Sequence, residues 1–256
     1  MSDLFSLKGR VALITGGSRG IGKMIAKGFL DQGARVYISA RKADACDQTA
    51  AELSKFGPCV SLPADVSTAQ GIAGLVQAYS AYESSLDILV NNAGAAWGES
   101  FDTFPEKGWD KVVDLNMKTP FFLTQALIAH LRKGALTHVA KVINIASIDG
   151  IAVNPMETYS YAASKSGLIH LTRRMGIKLA PENIAVSGIA PGAFASEMNK
   201  DARDHGDEVA KRIPAQRIGV DDDMAGAAIF LASRAGDYVV GTTLAVDGGV
   251  IHTRGL

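Results

Sequence analysis

The sequence predicts an α/β fold: a single domain built on a doubly wound, seven-stranded parallel sheet with helices on both faces. Three observations carry this. Short β-branched or apolar runs recur seven times with little polar alternation, as strands covered on both faces require. Longer amphipathic stretches separate them, as right-handed crossovers between parallel strands require. A glycine-rich stretch joins the first strand run to the first helical one, where such sheets turn toward a ligand.

Taken in order, the strand runs are Val11 to Ile14, Val36 to Ser39, Val60 to Leu62, Ile88 to Val90, Val142 to Ile145, Ile184 to Ile189 and Thr243 to Val246. The helical intervals are Gly20 to Gln32, Ala43 to Lys55, Thr68 to Tyr82, Pro105 to Arg132, Tyr159 to Leu179 and Asp221 to Ser233, with Gly33 and Gly57 where helix C-caps usually fall. No internal repeat, low-complexity tract or Pro/Ser-rich linker invites a cut, so residues 1–256 are expected to form one domain. Residues 193–219 are polar, follow Pro191-Gly192 and read as a mobile lid over a substrate near the carboxyl end of a strand; an ordinary solvated helix pair is the alternative.

Composition narrows the function. The 256 residues carry 26 Lys+Arg and 26 Asp+Glu, so no surplus of positive charge attracts a phosphate backbone, and nucleic acid is not expected as a partner. With 47% apolar and 20% charged residues the chain suits a packed core rather than disorder. Cys46 and Cys59 are too few for a disulfide framework or a Cys-rich zinc site, which fits a reducing cytoplasm. Residues 1–8 lack the basic start and apolar stretch of a secretory signal. The longest apolar run, Ala225 to Ala232, contains a glycine and is too short to span a bilayer, so no membrane association is expected.

The stretch Thr15-Gly16-Gly17-Ser18-Arg19-Gly20-Ile21-Gly22 places glycines where a tight turn, a close backbone approach to pyrophosphate and close helix packing are needed. Its spacing, Gly16-x3-Gly20-x-Gly22, differs from the commoner G-x-G-x-x-G. An NAD-binding chain of this design places an acid near the end of the second strand to hold the adenosine ribose. Here Ser39-Ala40-Arg41-Lys42 stands instead, with no carboxylate to repel a 2′-phosphate and with Arg41 and Arg19 able to clamp one, so NADP(H) is the expected cofactor.

Tyr161 and Lys165 stand four residues apart in a helical interval and share a face. A neighbouring ammonium favours the phenolate, which brings the Tyr161 proton closer to transfer and makes it a candidate general acid. Ser147, at the end of the fifth strand run, is placed to hydrogen-bond a carbonyl oxygen that Tyr161 protonates.

With these groups the chain resembles a non-extended short-chain dehydrogenase/reductase over essentially its whole length, similar to bacterial 3-oxoacyl-thioester reductases. The matching features are Thr15 to Gly22, Asp65-Val66, Asn91-Asn92-Ala93-Gly94, Asn116, Ser147, Tyr161 with Lys165, Pro191-Gly192 and Asp247-Gly248-Gly249. The resemblance implies a Rossmann fold, Tyr161 as proton donor, Ser147 as carbonyl-orienting group, Lys165 on the nicotinamide ribose and lowering the Tyr161 pKa, and Asn116 holding a relay water. It implies cofactor contacts from Gly16, Ser18, Arg19, Gly20, Ile21 and Gly22, with Asp65 and Val66 at the adenine. Asn92 and Gly94 would lie at the adjoining ribose, and Phe194 at the carboxamide. Ser196 stands where many relatives have Thr and keeps the hydroxyl.

The same motifs serve sugar, polyol and small-ketone dehydrogenases, and a non-catalytic dinucleotide-binding regulator stays open as a further alternative. Pocket candidates are Trp97, Asp149 and Met156 beside Ser147 and Tyr161, with Trp97 equally readable as core packing; their mostly apolar neighbours favour a ketone with an alkyl or acyl arm. The five histidines show no metal-ligand spacing, and Asp221-Asp222-Asp223 reads as a helix N-terminus, so no metal site is expected. By resemblance, the faces of Pro105 to Arg132 and Tyr159 to Leu179 pair copies into a homo-oligomer, a tetramer.

Overall fold

The computed structural model describes residues 3–253. The first two positions of segment 1–8 and the last three of the expected domain lie outside the described residues. Seven strands form one parallel sheet: β1 (Val11–Thr15), β2 (Arg35–Ser39), β3 (Cys59–Ser61), β4 (Ile88–Asn91), β5 (Ala140–Ile145), β6 (Ile184–Pro191) and β7 (Thr243–Val246), in the order β3-β2-β1-β4-β5-β6-β7. Between them lie α1 (Gly20–Asp31), α2 (Ala43–Leu53), α3 (Ala69–Ser80), α4 (Glu106–Val113), α5 (Thr119–Ala126), α6 (Ile128–Gly134), α7 (Tyr159–Leu179), α8 (Lys200–Asp204), α9 (Gly206–Ala210) and α10 (Asp221–Ala232).

Strand residues alternate between two apolar layers. Ile14, Val36 and Ile38 pack with Phe29, Met224 and Leu231, whereas Leu13, Tyr37 and Leu89 pack with Leu75, Leu123 and Leu131. Both faces are therefore covered, which is why β1, β4 and β5 lack polar alternation. After β3 the chain crosses back over β1 to build β4 on its other side, pairing Ile14 with Val90 as well as with Ile38. This reversal opens a crevice beyond the carboxyl ends of β1 and β4, where ligands of such sheets bind.

Two expectations change. The interval Pro105 to Arg132 is not one helix: a π-helical segment, Asp114–Lys118, separates α4 from α5, and α6 follows Leu127. Pro120 has no N–H to donate, which suits the first turn of a new segment. Gly57 is not a helix cap, since α2 ends at Leu53 with Ser54 as cap. A Cβ at Gly57 would stand 3.2 Å from Leu30 Cδ2, so it is small for packing. Gly33 does adopt the left-handed conformation, at φ +86°, directly beyond α1.

Candidate active site

The site is assembled where β1, β4 and β5 end. Thr15 closes β1, and its hydroxyl donates to the Val90 carbonyl (3.3 Å) while accepting the Asn92 (3.0 Å) and Ala93 (3.1 Å) amides. The Asn92 side chain donates in turn to the carbonyls of Thr15 (2.8 Å) and Gly16 (3.1 Å). Asn92 thus staples the turn after β4 to the glycine-rich turn. Gly22 is likewise buried, and a Cβ there would fall 2.3 Å from the Gly16 carbonyl oxygen. Gly16 takes φ +66° and Gly20 φ +52°, so the turn needs residues without a Cβ. Ser18 is anchored through its carbonyl to the Thr49 hydroxyl (2.9 Å), and Ile21 is half-buried. Arg19 precedes α1 in extended conformation and provides no side-chain cap, leaving first-turn amides of a twelve-residue helix without a side-chain partner.

At the end of β2, Arg41 is exposed and acts electrostatically on Asp65. Hydrogen bonds from Ser67, hydroxyl first, hold the Asp65 carboxyl below its usual range, with Arg41 assisting. Val66 is buried, its carbonyl accepting from Thr119 Oγ1 (2.8 Å).

Ser147, Tyr161 and Lys165 meet at the end of β5. Gly150 lets the loop after Ser147 approach α7 closely, since a Cβ there would lie 2.6 Å from the Lys165 carbonyl carbon. The Ser147 hydroxyl accepts the Asp149 amide (3.1 Å) and faces the Tyr161 phenol. Burial pushes that phenol up to about 12, hydrogen bonding with Ser147 opposes the shift, and the negative charge of Asp149 adds to it. Lys165 is buried, donates to the Ile145 carbonyl (2.7 Å), and is pushed down to about 8 by burial. Burial sets the direction of both shifts in this arrangement, because it disfavours both charged forms.

Asn116 sits in the π segment with 1% exposure. Its Oδ1 accepts the Ala95 amide (2.8 Å), and its Nδ2 donates to the Ala95 carbonyl (2.9 Å) and Ser164 Oγ (3.1 Å). Among the described residues, the Asn116 side chain thus holds the Ala95 main chain against Ser164. A Cβ at Gly94 would lie 3.1 Å from Asn116 Oδ1, which places that glycine beside the same group.

The pocket candidates separate. Trp97 is half-buried with its indole on α4, where a Cβ at Gly108 would come 2.8 Å from Cδ2, and the Lys111 ammonium stands 5.3 Å over its ring. Asp149 and Met156 border a different cleft, of about 260 Å³, shared with Tyr159 and the start of α7. Met156 is largely exposed. Phe194 is buried against Gly219, with which it forms an isolated bridge, so its ring belongs to the core. Ser196 Cβ lies 3.3 Å from the Cβ position of Gly20, bringing residues 193–219 against the glycine-rich turn.

A family model described as enoyl-(acyl carrier protein) reductase matches residues 16–251. A rhamnolipids-biosynthesis 3-oxoacyl-[acyl-carrier-protein] reductase of Pseudomonas aeruginosa is 44% identical over 253 residues, covering 97% of this chain and 99% of the relative. A solved structure, the Pseudomonas aeruginosa RhlG/NADP active-site complex, superposes with a TM-score of 0.94 at 45% identity, over 98% of this chain and 100% of the other. The chain belongs to the short-chain dehydrogenase/reductase family. A 2-dehydro-3-deoxy-D-gluconate 5-dehydrogenase of Dickeya dadantii, 40% identical over 256 residues with 96% and 97% coverage, shows how wide the substrates of similar chains run.

As a member of that family the chain is an oxidoreductase. Sequence reading missed the parts of this dehydrogenase/reductase that support its site. Ser164 bonds Asn116, and Asn91, Asn144, Thr124 and Thr172 form a buried polar chain from β4 through β5 to α7. The signal was two asparagines inside otherwise apolar strands, which must find partners when buried. At the start of α10, Asp223 accepts the Val220 amide (2.9 Å) and pairs with Arg217, consistent with the helix-terminus reading of the three aspartates. Among the described residues no cluster of three metal-ligating side chains occurs, and no helix is long and apolar enough to cross a membrane.

Proposed function

We propose that this chain reduces a carbonyl to a secondary alcohol with NADPH, the substrate being a 3-oxoacyl thioester or a related ketone. The observation that carries the reading is the convergence of Ser147, Tyr161 and Lys165 at the end of β5. The uncapped start of α1 and the left-handed glycines of the preceding turn fit a dinucleotide's pyrophosphate. Exposed Arg19 and Arg41, with no carboxylate at the end of β2, fit a 2′-phosphate. NADPH, when bound, supplies hydride.

The protein's own work is positioning and proton transfer. Ser147 holds the carbonyl oxygen by its hydroxyl. Tyr161, its pKa raised, carries its proton at neutral pH and gives it to that oxygen as charge develops. Lys165 keeps a positive charge by the Tyr161 ring and would hold the nicotinamide ribose, and Asn116 locks the Ala95 turn.

Residues 193–219 act in this reading as a lid of one domain, with Phe194 and Gly219 pinning its two ends. The enzyme works in the cytoplasm as a homotetramer, for which exposed Trp109, Phe121, Phe122 and Ile177 on α4, α5 and α7 supply apolar surface. A sugar-acid or polyol dehydrogenase is the second reading, favoured by the identity to the gluconate enzyme. A purely regulatory dinucleotide binder would have no use for a Ser147 hydroxyl set against the Tyr161 phenol. The test is NADPH consumption, with NADH in parallel, against 3-oxoacyl thioesters, keto-sugars and small ketones. Preferred turnover of the thioesters with NADPH is expected; turnover confined to keto-sugars would replace the reading.

A further inference from the structure

The buried polar chain that runs from β4 to α7 lies directly behind the reacting groups. Asn144 of β5 is wholly buried, pairs in register with Asn91 of β4 and accepts that residue's side-chain amide at 2.9 Å. Its own Nδ2 donates to the Thr172 hydroxyl of α7 (2.9 Å), whose proton is committed to the Leu168 carbonyl one turn back (2.8 Å). Any buried asparagine needs such partners, so these bonds stabilise the fold wherever they sit. What sets this pair apart is where it lies. The next residue of β5, Ile145, gives its carbonyl to the Lys165 ammonium (2.7 Å), and Ser147 follows just beyond the end of the strand. Thr172 stands close to two full turns beyond Lys165, and so on the same face of α7 as Lys165 and Tyr161. Adjacent residues of β5 therefore each hold α7, one through Lys165 and one through Thr172.

We propose that Asn144 and Thr172 are positioning residues, whose hydrogen bond fixes the axial register of α7 against β5 and so keeps Tyr161 opposite Ser147 when Lys165 turns to a dinucleotide's ribose. The inference rests on the carbonyl-reductase reading above and deepens it. In that reading Lys165 holds the nicotinamide ribose, so its ammonium must share or release the Ile145 carbonyl, and the grip of α7 on β5 passes to the Thr172 hydroxyl. No ligand competes for that second grip, because Asn144 and Thr172 are 0% and 1% exposed. The phenol of Tyr161 depends on it, since its hydrogen bond with Ser147 joins the end of β5 to the start of α7. Displacing a reacting group by about 1 Å costs up to about a hundredfold in rate, so a register bond at this place acts on turnover as well as on stability.

The experiment measures NADPH-dependent reduction of a 3-oxoacyl N-acetylcysteamine thioester and, separately, the pH dependence of Tm of the cofactor-free protein, for the wild type, Thr172→Val and Thr172→Ser. Valine keeps the β-branched shape of threonine and removes the hydroxyl. Thr172→Val should lower kcat about tenfold with the KM of the thioester within about twofold, and Thr172→Ser, which keeps the hydroxyl, should retain the wild-type kcat. Lys165 owes its lowered pKa to burial, and Tyr161, the titratable group beside it, stands at about 12. A slipped α7 admits water to the ammonium, so the alkaline fall of kcat/KM and the alkaline rise of Tm should both begin above the wild type's pH of about 8 in Thr172→Val, and at the wild-type pH in Thr172→Ser. A lower Tm in Thr172→Val with kcat and both pH dependences unchanged overturns the proposal, because the pair would then only stabilise the fold. Should Thr172→Val fail to fold, Thr172→Ala, which leaves room for a water beside Asn144, is read by the same criteria. A wild type silent on every carbonyl overturns the reductase reading, and the Tm profiles of the cofactor-free variants then decide the register by themselves.

Discussion

The Lys165 ammonium lies 5.6 Å from the centroid of the Tyr161 ring and spends a 2.7 Å hydrogen bond on the Ile145 carbonyl. The cation therefore faces the ring of its neighbour, and burial dominates both groups: the phenol stands at about 12 and the ammonium at about 8. At neutral pH the site holds a protonated tyrosine beside a charged lysine, the state a reductase needs in its proton donor.

The first group to titrate on the alkaline side is thus Lys165. The kcat/KM for reduction should fall above about pH 8, far below the Tyr161 value. Stability carries the opposite sign. Lys165 has a folded pKa below its ordinary 10.5, so burying its charge costs most below about pH 8, and the cost is relieved as pH rises from there toward 10.5. Lys165→Met should remove this alkaline gain from the pH dependence of Tm, and an identical pH dependence in that variant would contradict the assignment.

Asn116 fills its position with three hydrogen bonds and almost no exposure. Asn116→Ala leaves the Ala95 amide and carbonyl and the Ser164 hydroxyl short of a partner, and should cost about 2–4 kcal/mol in urea unfolding, together with most activity. A midpoint shift near zero would show that the π segment holds its shape without it.

Arg41 is exposed at the end of β2, where a 2′-phosphate would compete with Asp65 for it. Arg41→Ala should weaken NADPH binding by about ten- to a hundredfold while leaving NADH nearly unchanged, since only the former offers the phosphate for charge-assisted hydrogen bonds. Equal losses for both cofactors, measured by fluorescence titration, would place the arginine's contribution elsewhere.

Gly22 has a purely steric reason to be glycine. A Cβ would stand 2.3 Å from the Gly16 carbonyl oxygen and 2.5 Å from Asn92 Nδ2. Gly22→Ala should therefore distort the turn and lower thermal stability by the equivalent of about 1–3 kcal/mol even without cofactor, whereas a glycine needed only for ligand approach would leave the apoprotein's Tm unmoved.

Much of this architecture was legible because the sheet is covered on both sides: β1, β4 and β5 announce themselves as mostly apolar runs without polar alternation, and the turn beginning at Gly16 marks where the first one ends. Tyr161 and Lys165 were readable because four residues in a helix fix a common face. The break at Asp114–Lys118 was not, since a π segment keeps helical composition while shifting the face by one residue, and only tertiary packing of Asn116 on Ala95 and Ser164 shows the benefit. The bonds of Asn92 to the Thr15 and Gly16 carbonyls, the crowding at Gly22 and the burial of the Phe194 ring were not legible either, because contacts between distant segments decide what a residue touches.

The central claim is that Tyr161 is the proton donor of an NADPH-dependent carbonyl reduction. Tyr161→Phe keeps the ring under which Lys165 sits and removes only the hydroxyl. Turnover of a 3-oxoacyl thioester should fall by about a thousandfold, with the NADPH dissociation constant unchanged. A Tyr161→Phe enzyme that reduces the same substrate within a few-fold of the wild-type rate would contradict the account.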